Sequence, residues 1–183
     1  MRIVAGEMRS RTVEAVKGME TRPTQDHIKE AIFNRIGPYF EGGKMLDLFA
    51  GSGNIAFESL SRGIESAVLV DRSFPAIQTI TKNAKNLKVE ERCRILKMDY
   101  MSALGLVSND VFSLIYIDPP YALDAYNKAM NYISEHGMVE DNGIVVLESA
   151  KEDSFAKNYG DLEQIHEKVY GISKVTIYRR KSA

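Results

Sequence analysis

Hydrophobic positions fall into two textures along this chain, and the break between them is the breaker cluster GPYFEGG at 37–43. Before it, RIVA (2–5) and RTVEAV (11–16) are short β-favouring runs around GEMRS, whose Gly6 suits a turn, so a small N-terminal β-hairpin is expected. RPT follows, with Thr24 in an N-cap position. Ile28, Ala31, Ile32 and Ile36 then recur at helical spacing on one face. After the break, short apolar runs alternate with amphipathic stretches. Strands are predicted at 44–50, 66–71, 93–99, 111–118 and 143–149. Helices are predicted from Asn54 to Gly63, from Phe74 to Leu87 with Pro75 in the first turn, and over 124–136. LEQIHEKVY and SKVTIYRR read as two strands joined at Gly171 with no room for a helix between them, so they form an antiparallel hairpin at the sheet's edge. Strand–helix alternation of this kind predicts an α/β fold: a mostly parallel sheet with helices on both faces. The segment 1–40 is expected as an N-terminal extension and 41–183 as the main domain.

Charge and composition narrow the function classes. The net charge is −1, so any nucleic-acid contact must be a local patch rather than a global field. A single cysteine, Cys93, excludes a disulfide framework, a cysteine metal cluster and a redox pair. The three histidines, His27, His136 and His166, are scattered, and no metal site is expected. The opening MRIVAGEMRS has no apolar signal core and no stretch reaches the length of a membrane span, so a cytoplasmic protein with no membrane association is expected.

The candidate chemistry sits at strand ends. DLFAGSGNIAFESL places Gly51 and Gly53 between the first strand and the first helix that follows it, where open parallel sheets bind ligands. By itself this Gly-x-Gly is a weak signal. Asp71 ends the second strand about 20 residues past the loop, where an acid takes a ribose hydroxyl pair. Asp99 and Asp118 end the next two strands, and Asp47 lies inside the first. Together the acids describe an elongated pocket for a nucleoside with a charged tail. Asn54 after the loop, in place of a Lys-Ser/Thr pair, argues against a nucleoside triphosphate. The run IYIDPPYALD (115–124) ends its strand on a carboxylate, a rigid turn and an aromatic ring.

DLFAGSG, the acid at the end of the second strand and DPPY after the fourth resemble the class I S-adenosylmethionine-dependent methyltransferases over residues 44 to 180. That resemblance implies a Rossmann-like, seven-stranded sheet closed by the antiparallel C-terminal hairpin, with S-adenosylmethionine as cofactor. It implies that Gly51 and Gly53 pass under the methionine part, Asp71 takes the ribose and Asp99 the adenine amino group. Asp47, Phe49, Ser52, Arg72, Tyr100 and Asp118 complete the expected cofactor set. In these enzymes an (Asp/Asn)-Pro-Pro-(Tyr/Phe) segment marks methyl transfer to an amine conjugated with a planar ring or amide. The catalytic residues it implies here are Asp118, Pro119, Pro120 and Tyr121. Asp118 and the Pro119 carbonyl would accept the amine's hydrogens, the prolines would hold those acceptors still, and Tyr121 would stack on an extruded base.

RIVAGEMRSRTVEA followed by RPTQDHIKEAIFNRI is similar to the N-terminal segment of the RsmD family, bacterial methyltransferases of 16S ribosomal RNA that modify the exocyclic N2 amine of a guanine. This resemblance covers nearly the whole chain. It implies 16S ribosomal RNA, or the assembled small subunit, as partner of a monomer, contacted through Arg2, Arg9, Arg11, Arg22 and Thr24. Arginine suits forked phosphate contacts and stacking on unpaired bases. Residues 1–44 carry eight Lys/Arg against six Asp/Glu, a mild excess suited to RNA presented on a particle. Arg179, Arg180 and Lys181 form a second basic cluster. Two other readings stay open: an adenine-N6 methyltransferase on RNA or DNA, and a catalytically silent cofactor-binding partner in an RNA-modification complex.

Overall fold

The computed structural model describes residues 1–18, 24–120 and 123–182. Eight strands form one sheet: β1 (Lys44–Asp47), β2 (Ser66–Asp71), β3 (Cys93–Lys97), β4 (Phe112–Ile117), β5 (Val139–Ala150), β6 (Asn158–Tyr159), β7 (Leu162–Tyr170) and β8 (Ser173–Arg180). Their order is β3-β2-β1-β4-β5-β8-β7-β6. The first five are parallel, and β8 and β7 add antiparallel at the edge. The expected seven strands are therefore eight. The extra one, β6, is a two-residue antiparallel pairing with β7, too short to leave any alternation in the sequence.

Among the described residues five α-helices cover the sheet: α1 (Asp26–Ile36), α2 (Asn54–Ser61), α3 (Phe74–Asn86), α4 (Tyr100–Leu106) and α5 (Leu123–Glu135). Successive strand residues point to opposite faces, which divides the core in two. Met45, Ala67, Leu69, Leu114 and Val146 pack with Ile32 and Phe33 of α1, Phe57 and Leu60 of α2 and Ile80 of α3. Their neighbours Leu46, Val68, Val70, Ile115 and Leu147 pack with Leu104 of α4 and Met130 and Ile133 of α5. Helix α4 has no counterpart among the predicted elements, where the third strand runs on to Asp99. The structure ends β3 at Lys97 and makes Asp99 the N-cap of α4, its Oδ2 accepting from the amides of Met101 and Ser102.

The expected N-terminal hairpin is present in short form, with an antiparallel bridge between Arg2 and Thr12. Across it Ile3 donates to the Arg11 carbonyl, Ser10 to the Ile3 carbonyl and Val13 to the Met1 carbonyl. The amides of Val4 and Ala5 donate to the Glu58 carboxylate, Glu7 donates to the Ser61 carbonyl and Met8 to the Ser61 hydroxyl, so the turn of the hairpin is fastened to α2. Gly6, at φ 90°, permits that approach; a Cβ there would lie 1.9 Å from the Ser61 carbonyl oxygen. Ile3, Met8 and Val13 are buried in the same core as α1 and α2. Beneath this segment lies a buried charge cluster. Lys29, fully buried, bridges to Glu58 at 3.1 Å and donates to the Arg2 carbonyl and Asn54 Oδ1, while Arg62 meets Glu58 at 2.8 Å. The N-cap of α1 is Gln25, without a side-chain cap bond.

Candidate active site

The chain runs outward from β1 through β2 to β3, then crosses back to β4 on the other side of β1. At that switch point the loops beyond the carboxyl ends of β1 and β4 diverge and leave a crevice. It is a cavity of about 1050 Å³. Its walls include Asp47, Phe49, Gly51, Ser52, Asp71, Arg72, Asp99, Tyr100, Asp118, Pro119 and Pro120. The sheet thus gathers residues spread over more than 70 positions of sequence onto one edge.

The glycine loop is held from behind. Asp71 Oδ2 accepts from the Gly51 amide at 3.0 Å and Oδ1 from the Ser73 amide at 2.9 Å. Asn83 of α3 donates to the Ser52 carbonyl and to the Glu14 carbonyl, joining loop and N-terminal segment. A Cβ at Gly51 would meet open space, so the missing side chain leaves the cavity free there. Gly53 does different work. It is the N-cap of α2 at φ 86°, a Cβ on it would stand 2.3 Å from the Phe57 ring, and it is not part of the cavity wall. Phe49 and Tyr100 pack with ring centroids 5.2 Å apart on the wall beside Asp99.

The opposite end of the cavity holds three carboxyl groups. Asp47 is 2% exposed, and burial, with the charges of Asp71 and Glu148, pushes its carboxyl from 3.8 up to about 7. The Phe49 amide, donating to Asp47 Oδ1, works in the opposite direction. Asp118 is half-buried, its carboxyl turned inward. Burial raises it well above the usual carboxylate range, and Glu148 and Asp47 add to the rise. Glu148, near the end of β5, accepts at Oε1 from the Tyr116 hydroxyl at 2.5 Å and the Thr24 hydroxyl at 2.8 Å. Tyr126 of α5 donates to the Glu148 carbonyl.

Glu148, Tyr116 and Tyr126 were missed by sequence reasoning. The signal for Glu148 was present: VVLES ends a strand on an acid just as the other strands do. Nothing in sequence marks Tyr116, inside an apolar strand, or Tyr126, on an amphipathic helix, as a site residue. Thr24, expected at RNA, lines the cavity and spends its hydroxyl on Glu148. Arg2, Arg9 and Arg11 are exposed, with Arg11 donating to the Asn86 carbonyl. Arg22 and Tyr121 lie outside the described residues. In the second basic cluster, Arg180 is engaged by Asp161 and Asp141, and Lys181 by Glu163. Cys93 opens β3 away from the cavity, its thiol pushed up to about 11 by burial. Among the described residues no group of His, Cys, Asp and Glu is placed to hold a metal. No helix among them is long and apolar enough to cross a membrane.

The family model described as Conserved hypothetical protein 95 matches residues 1–179. The chain belongs to this family, the RsmD family. Within it, the chain is 40% identical to the Bacillus subtilis protein named "Putative rRNA methyltransferase YlbH" over 183 residues, covering 99% of this chain and 100% of that one. It is 28% identical to ribosomal RNA small subunit methyltransferase D of Escherichia coli K12, covering 100% and 91% of the two chains. Among solved structures it resembles "Putative methyltransferase yhhF" of Escherichia coli with a TM-score of 0.87 at 26% identity, over 100% of this chain and 99% of that one. The mixed sheet and its helices are the Rossmann-like methyltransferase fold, with eight strands here.

Proposed function

We propose that this protein transfers a methyl group from S-adenosylmethionine to the exocyclic N2 amine of a guanine in 16S ribosomal RNA, presented on the small subunit. One observation carries the reading: the Asp118-Pro119-Pro120 segment faces the same cavity as the Asp71-braced glycine loop. The relatives' names support ribosomal RNA as the substrate class.

The residues fit the cofactor. Gly51 leaves open space at the loop, Asp71 and Asp99 offer acceptors for ribose hydroxyls and an adenine amino group, and Phe49 and Tyr100 offer flat ring faces. Asp47 brings a carboxyl group to the other end, suited to a cationic tail. S-adenosylmethionine supplies a methyl carbon on a positively charged sulfur, so the leaving group is already activated. What remains for the protein is positioning, to which effective molarities on the order of 10⁵ M or more are available. A guanine amine is a poor nucleophile because its lone pair is delocalised into the ring. Asp118 and the Pro119 carbonyl accept its two hydrogens and favour a pyramidal nitrogen whose lone pair points at the methyl carbon. Pro119 is buried, and both rings restrict φ, so the acceptors need no reorganisation.

The test is methyl transfer from labelled cofactor to small subunits taken from cells lacking this gene, followed by mass spectrometry of the nucleosides. Methylguanosine modified at N2 is expected in the wild type, with at least a roughly 10²-fold lower rate in Asp118→Ala. A labelled N6-methyladenosine would replace the guanine reading with the adenine one. Absence of any labelled nucleoside would leave the silent-partner reading.

A further inference from the structure

Glu148 has no role in the proposed transfer, yet two hydroxyl groups hold its side chain at the reactive end of the cavity. Its Oε1 accepts two hydroxyls from distant parts of the chain, Thr24 before α1 and Tyr116 in β4. Two donors on one oxygen fix the rotamer and leave Oε2 without a hydroxyl donor among the described residues. Ile117 pairs with Leu147 across the parallel strands β4 and β5, so Asp118 and Glu148 follow each other at the same end of neighbouring strands, and both line the cavity. The charge of Glu148 so close by disfavours an ionised Asp118, in the same direction as its burial.

We propose that Glu148 is a positioning residue for Asp118: it accepts the proton of a neutral Asp118, which turns the other Asp118 oxygen, a bare carbonyl acceptor, toward the amine. In this state Asp118 presents the same face as an asparagine, a donor behind and an acceptor in front. The surroundings favour it. Asp47 from β1, Tyr116 from β4, Glu148 from β5, and Tyr126 from α5 with Asp153 after β5 all face this corner, and each is acidic or neutral. Among the described residues no Lys or Arg acts on Asp118 to favour its ionised form. Burial then disfavours the charged carboxylate further. The proposal rests on amine methylation as the reaction.

Two measurements test it. In the free protein, NMR of carboxyl-labelled aspartate, assigned with Asp118→Asn, should show Asp118 titrating well above the ordinary carboxylate range. Glu148→Gln should move that titration down, because a neutral neighbour removes the repulsion. In single-turnover methyl transfer, the wild-type rate should fall as pH rises through the same titration, when the shared proton is lost and the two anions push apart. That alkaline limb should vanish in Asp118→Asn, whose amide cannot titrate, and this variant should lose less activity than Asp118→Ala. Glu148→Ala should slow transfer by about tenfold, the value of one good hydrogen bond, with a smaller change in cofactor affinity. An Asp118 titration in the ordinary range, or the same alkaline limb in Asp118→Asn, would overturn the proposal. A raised titration in a wild type that transfers no methyl to ribosomal RNA would instead overturn the functional reading, and the positioning role with it, while the proton-sharing pair stood.

Discussion

The Thr24 hydroxyl donates to Glu148 Oε1 at 2.8 Å across 124 residues of sequence, joining the N-terminal segment to the carboxyl end of β5. The N-terminal segment is therefore part of the cavity and not an appendage beside it. Met1, Ala15 and Val16 line the same space. Thr24→Val keeps the shape of the side chain and removes the donor. It should slow single-turnover transfer while leaving RNA affinity unchanged, measured by filter binding. A loss confined to RNA affinity would return Thr24 to the RNA surface.

Asp71 braces the glycine loop through the Gly51 amide, accepts from the Ser73 amide as well, and also faces the cavity. If Asp71 holds the ribose hydroxyls as proposed, Asp71→Ala removes a charge-assisted bond worth about 1.5–3 kcal/mol. Calorimetry should show S-adenosylmethionine binding weakened by roughly ten- to 150-fold. Unchanged affinity in a folded variant would take Asp71 out of the ligand contact and leave it only the loop.

Arg9 and Arg11 are exposed, so replacing both with Ala tests RNA contact without disturbing the core. Cofactor binding should stay intact, and the slope of log RNA affinity against log salt should become shallower by roughly 1.4–1.8 if each contacts a phosphate. Deleting residues 1–16 is a different experiment. It removes Ile3, Met8 and Val13 from the core, roughly 5–9 kcal/mol of burial, which rivals the whole stability of a typical domain. That variant should fail to give a cooperative melt, whereas the double arginine variant should melt like the wild type.

Lys29 lies fully buried against Glu58, which also binds Arg62 and two backbone amides of the N-terminal segment. Lys29→Ala leaves Glu58, itself fully buried, with one cation fewer. A cost of about 3–5 kcal/mol is expected, read by denaturant titration, together with faster hydrogen exchange at Val4 and Ala5.

Asp47 makes stability depend on pH. Its folded value of about 7 exceeds the ordinary 3.8, so the folded state binds the proton more tightly. Stability from this group is complete below 3.8 and is lost as pH rises through 7. At 1.4 kcal/mol per pH unit the interval is worth about 4 kcal/mol. Asp47→Asn keeps the bond from the Phe49 amide and carries no charge. Its melting temperature should exceed that of the wild type at pH 8 and approach it at pH 4. Parallel Tm profiles for the two proteins would show that Asp47 does not titrate in this window.

Periodicity and turn chemistry were enough to read the alternating architecture, the edge hairpin at Gly171 and the loop between β1 and α2, because each is written in neighbouring residues. The strand-end acids Asp47, Asp71 and Asp118 were legible for the same reason. Asp99 was legible as an acid at that edge, though the structure makes it a helix cap. Other features depended on what the folded chain brings together. The N-terminal hairpin was legible locally, but its attachment was not: the Glu58 carboxylate and the Ser61 oxygens take amides of its turn and fasten it to α2. The role of Thr24 was read from its neighbours as a cap, and its hydroxyl found Glu148 instead. Protonation at the reactive end belongs to the tertiary structure alone. The raised carboxyls of Asp47 and Asp118 come from burial and from acids on different strands, and neither desolvation nor repulsion between β1, β4 and β5 exists until the sheet sets those strands side by side.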